Sequence, residues 1–196
     1  MKIKICGITN ASDAIMCEDL GADALGFVHF PSSIRSLSLR CIREIVSTVG
    51  PFTKKVLVCS PADTEEAIKF VKAANVDVIQ LYNLDCEEIE SIRSHGIAVI
   101  RAVKPTDEEI YEFLEVADAL LFDSPVPGSG RAHDYSAIPL KLCRRAIIAG
   151  GLGIENVDLV RSMRPYAVDV SSGVEKSVGR KDQTLVSEFI RRCRSC

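Results

Sequence analysis

The stretch Lys2-Ile-Lys-Ile-Cys-Gly-Ile-Thr-Asn10 decides how the rest of the chain is read. Polar and apolar residues alternate with the period of a β-strand, which puts Lys2, Lys4 and Cys6 on one face and Ile3 and Ile5 on the other. The run ends in a glycine and in Asn10, a residue type that caps a following helix. Taken alone, Cys6 reads as a small buried hydrophobe, because free cysteine is among the most buried residue types. A lysine two places from it on the same face is odd for plain core. The stretch is therefore read as the first strand of a barrel with chemistry at its tip.

Beyond it, apolar runs of four to six residues alternate with longer amphipathic stretches, the pattern of parallel strands joined by crossover helices. Eight strands are predicted, over Lys2–Cys6, Ala24–Val28, Lys55–Cys59, Val76–Leu81, Ala98–Ala102, Ala119–Asp123, Ala146–Gly150 and Ala167–Ser171. Helices are expected over Ser12–Leu20, Leu39–Val49, Asp63–Ala74, Glu87–Ser94, Asp107–Val116, Ile154–Met163 and Gln183–Arg194, with only a short one near Tyr135–Leu140. An internal echo supports the count: Gly21-Ala-Asp-Ala-Leu-Gly-Phe, Asn75-Val-Asp-Val-Ile-Gln-Leu, Val116-Ala-Asp-Ala-Leu-Leu-Phe and Pro165-Tyr-Ala-Val-Asp-Val fall at alternate strands. These features imply a single α/β domain over residues 1–196, a (β/α)8 barrel. Such barrels run to about 250 residues, so the loops must be short; an open doubly wound sheet is the alternative.

Composition narrows the function. Of the 196 residues 47% are hydrophobic, enough for a sizeable core, and a net charge of -3 gives no reason to expect nucleic acid or a membrane surface as partner. The basic run Arg191, Arg192, Arg194 reads as the dipole-complementing end of the last helix. Eight cysteines scattered along the chain, with Met1 leading straight into a strand, point to free thiols in a reducing cytoplasm. Cys193 and Cys196 form a lone CxxC without a second ligand pair, so no metal site is assigned.

In a barrel the informative positions follow the strands. Gly150, Gly151 and Gly153 lead into a helix, and Ser171, Ser172 and Gly173 follow the next strand; glycines, hydroxyls and a helix end suit a phosphate. Asp169, between two valines, is expected to point into the barrel and to pair with Lys4, since the eighth strand adjoins the first. Asp123 reads either as a turn-starting residue or, across the mouth from Cys6, as an acid–base partner. Arg35 reads as a loop arginine or as a carboxylate grip. His29 is taken as a bystander.

These residues resemble a known family. Lys4-Ile-Cys-Gly-Ile-Thr-Asn10, Ala24-Leu-Gly-Phe-Val28 with Arg35, Leu120-Leu-Phe-Asp123, Ala149-Gly-Gly-Leu152 with Glu155-Asn-Val157, and Val168-Asp-Val-Ser-Ser-Gly-Val-Glu175 with Gly179, Lys181 and Asp182 are similar to the motifs of phosphoribosylanthranilate isomerase, end to end and in order. The resemblance implies a cofactor-independent Amadori rearrangement of a phosphorylated sugar–anthranilate conjugate, the third step of tryptophan biosynthesis from chorismate. It makes Cys6 the general base and Asp123 the general acid. It gives Arg35 the anthranilate end of the substrate, and it gives Gly150, Gly151, Ser171, Ser172 and Gly173 the phosphate. The thiol then needs its pKa lowered, by Lys4, a bound iminium or a helix end. A monomer or a homodimer is compatible with this reading.

The chain departs from the family in four places. Gln80-Leu-Tyr-Asn83 stands where the family has Gln-Leu-His-Gly, Gly128-Ser-Gly130 with His133-Asp-Tyr135 is a variant loop, and His29 and Cys59 replace apolar residues. The rival readings are the aminoaldose isomerase of histidine biosynthesis, an enzyme accepting both substrates, and a barrel that binds a sugar phosphate without turning it over.

Overall fold

Eight parallel strands close on themselves in sequence order: β1 (Lys2–Ile5), β2 (Ala24–His29), β3 (Lys54–Cys59), β4 (Val78–Leu81), β5 (Ala98–Val103), β6 (Ala119–Phe122), β7 (Ala146–Ile148) and β8 (Ala167–Val170). The structure, a computed structural model, describes residues 1–105, 110–124 and 134–195. The predicted (β/α)8 barrel is thus the observed fold, and the open-sheet alternative is excluded because β1 pairs with β8 over four residues, Lys4 opposite Asp169. Around it lie α1 (Ala11–Asp19), α2 (Leu39–Val46), α3 (Thr64–Ala74), α4 (Cys86–Ser94), α5 (Ile110–Val116), α6 (Val157–Ser162) and α7 (Gln183–Arg194). No helix among the described residues is long and apolar enough to cross a membrane.

Local chemistry sets these boundaries. Asn10 caps α1 by accepting from the Asp13 N–H, Asp63 caps α3 in the same way, and Asp85 forms a reciprocal capping box with Glu88 that starts α4 at Cys86. The expected helix from Ile154 begins only at Val157, because Asn156 folds back: its Oδ1 accepts from the Gly153 N–H and its Nδ2 donates to the Gly151 carbonyl. The expected start of the fifth helix, Asp107–Glu109, and the loop Gly128–Gly130 with His133 lie outside the described residues, as does Cys196. A feature with no counterpart in the sequence reading is a hairpin after the barrel, β9 (Glu175–Ser177) and β10 (Arg180–Lys181).

The strand period divides the core in two. Ile3, Ile5, Leu25, Phe27, Leu57, Ile79, Leu120, Phe122 and Val168 face outward into the layer between sheet and helices. A smaller cluster of Val56, Ile100, Ala102, Leu121, Ile147 and Ala149 fills the barrel itself. Lys4, Gln80 and Asp169 alternate with outward-facing strand residues, and Lys4 and Gln80 are buried. These polar groups prepare the chemistry above them.

Candidate active site

A cavity of about 570 Å³ opens where the strands end, the rim on which barrels of this architecture carry their sites. Its wall includes Cys6, Arg35, Asp123, Gly150, Gly151, Asp169, Ser171 and Ser172, together with Val28, Phe30, Gln80 and Tyr82. Lys4, Gly153 and Gly173, singled out from the sequence, are not part of that wall. Lys4 lies beneath it, and Gly173 pairs with Gly153 in a short parallel bridge where a β-carbon would collide with the Leu152 carbonyl.

On the β8–β1 side charge is locked in place. The Lys4 ammonium donates to Asp169 Oδ2 at 2.9 Å with both side chains buried, while Asp169 Oδ1 has no partner among the described residues. Cys6 sits above this pair. Burial pushes its thiol above the ordinary range; Lys4 pulls it down, but not far enough to reverse the shift. Of the three groups expected to lower this thiol, Lys4, a bound iminium or a helix end, Lys4 does pull it down, but in the folded protein desolvation is the larger effect. Gly26 explains how both side chains fit: a β-carbon there would lie 2.7 Å from Cys6 Sγ and 3.1 Å from Lys4 Cε.

Arg35 is held by a partner 140 residues away. Its Nε and Nη2 donate to the two carboxylate oxygens of Glu175, at 2.9 and 2.7 Å, a bidentate pair that fixes the guanidinium plane. Glu175 Oε1 also accepts from Lys181, whose fully buried ammonium donates in addition to the Ser171 carbonyl. Although burial works against its charge, these cations hold the Glu175 carboxyl below its usual range. The Lys181 amide in turn donates to Asp13 at the start of α1. The hairpin is therefore a brace for Arg35 and the Ser171 turn, built from residues that the sequence motif contained but to which no role had been given.

The opposite side differs. Asp123 follows β6, its own amide donating to the Val103 carbonyl, and its side chain meets neutral donors: the Ser124 amide at 2.8 Å on Oδ1 and the Tyr82 hydroxyl at 3.2 Å on Oδ2. Behind Tyr82 lies the Gln80 amide, at 3.3 Å. Burial, and next the charge of Asp123, push the Tyr82 phenol well above its ordinary value, so it keeps its proton. Next to this side the turn after β7 carries positive φ at Gly150 (83°) and Gly151 (65°), a conformation that L side chains rarely adopt. Tyr135 donates to the Gly150 carbonyl at 2.7 Å and Asn156 to that of Gly151 at 2.9 Å, so both peptide planes are fixed from outside the cavity.

Two departures from the family pattern prove remote from this chemistry. His29 Nδ1 lies 2.8 Å from the Leu37 carbonyl and its ring packs edge-on against Phe70. Cys59 is fully buried, its thiol pushed up to about 12 by burial and by Glu66.

A closed parallel barrel with a braced arginine, a buried thiol and a carboxyl group around one rim cavity defines the class of (β/α)8-barrel enzymes. The sequence profile described as N-(5'phosphoribosyl)anthranilate (PRA) isomerase matches residues 3–192, and the chain belongs to this family of isomerases. It is 41% identical to the N-(5'-phosphoribosyl)anthranilate isomerase of Methanothrix thermoacetophila, over 100% of this chain and 99% of that one. The crystal structure of the Thermus thermophilus phosphoribosyl anthranilate isomerase superposes with a TM-score of 0.89 at 36% identity, covering 98% of each chain. A phosphoribosyl anthranilate isomerase in complex with reduced 1-(o-carboxyphenylamino)-1-deoxyribulose 5-phosphate superposes with a TM-score of 0.87 at 33% identity, over 99% of this chain and 98% of that one.

Proposed function

We propose that the chain converts N-(5-phosphoribosyl)anthranilate to 1-(2-carboxyphenylamino)-1-deoxyribulose 5-phosphate, the third step of tryptophan biosynthesis, with Asp123 as general acid and Cys6 as general base. The observation that carries the reading is that both residues line one cavity with Arg35 and the turns at Gly150-Gly151 and Ser171-Ser172. Asp123 delivers a proton to the ribose ring oxygen as the C1–O bond breaks and the anthranilate nitrogen lone pair forms an iminium. The Cys6 thiolate then takes the C2 proton, and the C–H electrons form the C1=C2 bond of the enolamine. Its shift to the ketone moves one proton from O2 to C1. The C2 proton restores the Cys6 thiol, whose own proton went to solvent as the iminium formed, and solvent returns one proton to Asp123, so the product is an isomer of the substrate.

Each residue type suits its task. Burial keeps Cys6 a thiol in the resting site, and the cationic iminium forming beside it lowers that thiol's pKa, so its proton is released to solvent and the thiolate is present when the C2 proton must leave. Arg35 has committed Nε and one Nη2 proton to Glu175, and its remaining N–H groups take the anthranilate carboxylate. In a trans peptide the N–H points opposite to the C=O, so carbonyls tied to Tyr135 and Asn156 outside the wall leave the amides of Gly151 and Leu152 for the phosphate, with the hydroxyls of Ser171 and Ser172.

The test follows loss of fluorescence of the anthranilate conjugate. Wild type turns over. Cys6→Ser and Asp123→Asn bind the conjugate while kcat falls by about 10²- to 10⁴-fold, and Arg35→Ala chiefly raises KM. A Cys6→Ser variant that keeps most of its rate removes the assigned base.

A further inference from the structure

We infer that the Tyr82 hydroxyl, with the Gln80 amide behind it, is a positioning device for Asp123 that supports the carboxyl group in both of its protonation states by reversing its own hydrogen bond. The inference rests on the reading of Asp123 as proton donor and adds what manages its proton.

The three groups form a line along the cavity wall. Gln80 Nε2 lies 3.3 Å from the Tyr82 hydroxyl, which lies 3.2 Å from Asp123 Oδ2. Both distances lie just beyond the usual range for their donor types, so neither locks the hydroxyl rotor. Gln80 is buried, and its Oε1 has no hydrogen-bond partner among the described residues. A buried amide oxygen left without a donor is costly in one orientation, and an amide reverses its ends by a half-turn. The other end of the line is closed, since the Ser124 amide holds Asp123 Oδ1 at 2.8 Å. Oδ2 is therefore the oxygen that carries the exchangeable proton.

Two complete patterns fit this line. With Asp123 ionised, Gln80 donates to the phenol oxygen and the phenol donates to Oδ2. With Asp123 protonated, Oδ2–H donates to the phenol oxygen, the phenol donates to Gln80 Oε1, and the amide has turned over. When the proton leaves for the ring oxygen, the O–H bond breaks, the electron pair stays on Oδ2, and the phenol swings its hydrogen onto the new carboxylate. Tyr82 gives up no proton of its own, consistent with burial and the Asp123 charge holding it as a phenol. A phenol is suited to this because it both donates and accepts and stays neutral throughout.

Among the described residues the charged groups around Asp123 are few. From the first and last strands come Cys6 and the Lys4–Asp169 pair, with Lys181 behind them. On the adjoining β5, Arg101 donates to the Leu81 carbonyl and lies over the Phe113 ring at 4.6 Å, and Lys104, past the strand end, is exposed. On the other side Ala149 and Gly150 carry no charge. Among the described residues Tyr82 is thus the group within hydrogen-bond reach of Oδ2 that can respond to its protonation.

The test is the pH dependence of kcat for the intact enzyme with the anthranilate conjugate, read on the limb where activity falls as the acid ionises. Tyr82→Phe keeps the ring against Phe30 but removes the donor to the carboxylate, so the limb moves to higher pH by about one unit, because a bond to the charged form is worth more than one to the neutral form. Gln80→Leu costs the phenol a partner in both states, but a buried O–H left without an acceptor when Asp123 is protonated costs more than a phenol oxygen left without a donor when it is ionised, so the limb moves the opposite way, to lower pH, and by less. A ¹³C-carboxyl titration of Asp123 in the same variants gives the same two directions without relying on turnover. A limb that stays put in both variants, with Asp123→Asn inactive, overturns the device alone. An Asp123→Asn variant that keeps its rate overturns the device and the assignment of the acid together.

Discussion

The two sides of the cavity hold their carboxylates in opposite ways. On the β8–β1 side Asp169 is bound to the Lys4 ammonium and Glu175 to both Arg35 and Lys181, all within the protein. On the β4–β6 side, among the described residues, the oxygens of Asp123 accept hydrogen bonds from a neutral amide and a neutral phenol. Buried ion pairs fix charge and geometry, because breaking one strands a charge in a poor dielectric. Neutral partners let a carboxyl group change its charge at modest cost. One side fixes its carboxylates in ion pairs and the other leaves its carboxyl group to cycle, which is the division that acid–base chemistry requires.

The largest effects come from exchanging the insults between the two sides. Lys4→Met strands Asp169, and an expected loss of about 3–5 kcal/mol of unfolding free energy would be read in urea denaturation. Asp123→Asn should cost no more than about 1 kcal/mol, since its partners are neutral, while kcat falls by about 10²- to 10⁴-fold. Equal losses of stability in the two variants would erase the contrast.

Glu175→Gln tests the brace. It removes the partner of Arg35 and leaves Lys181 on the Ser171 carbonyl, at a cost of about 3 kcal/mol, the low end for a buried pair, because Arg35 can still reach water. Loss of a fixed guanidinium should also raise KM. Because Glu175 is held below the ordinary value of 4.5, the stability it supplies is fully present above that pH and lost as pH falls through its lower, folded value. Acid unfolding of the variant should lack that component, and an unchanged acid limb would show that the brace supplies none of it.

This contrast explains what was legible in the sequence. Strand period, the recurring Ala-Asp-Ala and Val-Asp-Val ends and the closing neighbours Lys4 and Asp169 are local or follow from barrel closure, so eight strands could be read in order. The brace could not: Arg35 and Glu175 meet across 140 residues, and Lys181 looks in a sequence like any solvated charge. Tyr82 registered only as a departure from a family pattern, since its meaning lies in an oxygen 41 residues away. The delayed start of α6 was hidden because Asn156 spends its side chain on the turn rather than on capping the helix.

A smaller effect is expected from Gly26→Ala, which pushes a methyl group against Cys6 Sγ and the Cys6 backbone. Overpacking of this kind costs about 1–3 kcal/mol. The sulfur is displaced toward the cavity, so kcat should fall while binding of the conjugate is nearly kept. A compensating Lys4→Met change gives more room at the Lys4 end but none at the sulfur, so it should not restore the rate. Restoration would mean that the glycine serves the lysine and not the thiol.

The smallest shift tests how charge on the fixed side reaches the sulfur. Burial raises the Cys6 thiol, and Lys4 opposes it from below. Alkylation of Cys6 by iodoacetamide in the ligand-free protein should therefore be slow at neutral pH and should rise with pH beyond the range of an ordinary thiol, because only the thiolate reacts. Lys4→Met removes the opposing charge and should carry that rise further upward, by an amount read directly from the rate profile. Cys41, which is exposed, provides the internal reference, so the comparison is made within one molecule. If Cys6 instead reacts faster than Cys41 at neutral pH, the resting site already holds a thiolate, and the iminium is not what activates the base.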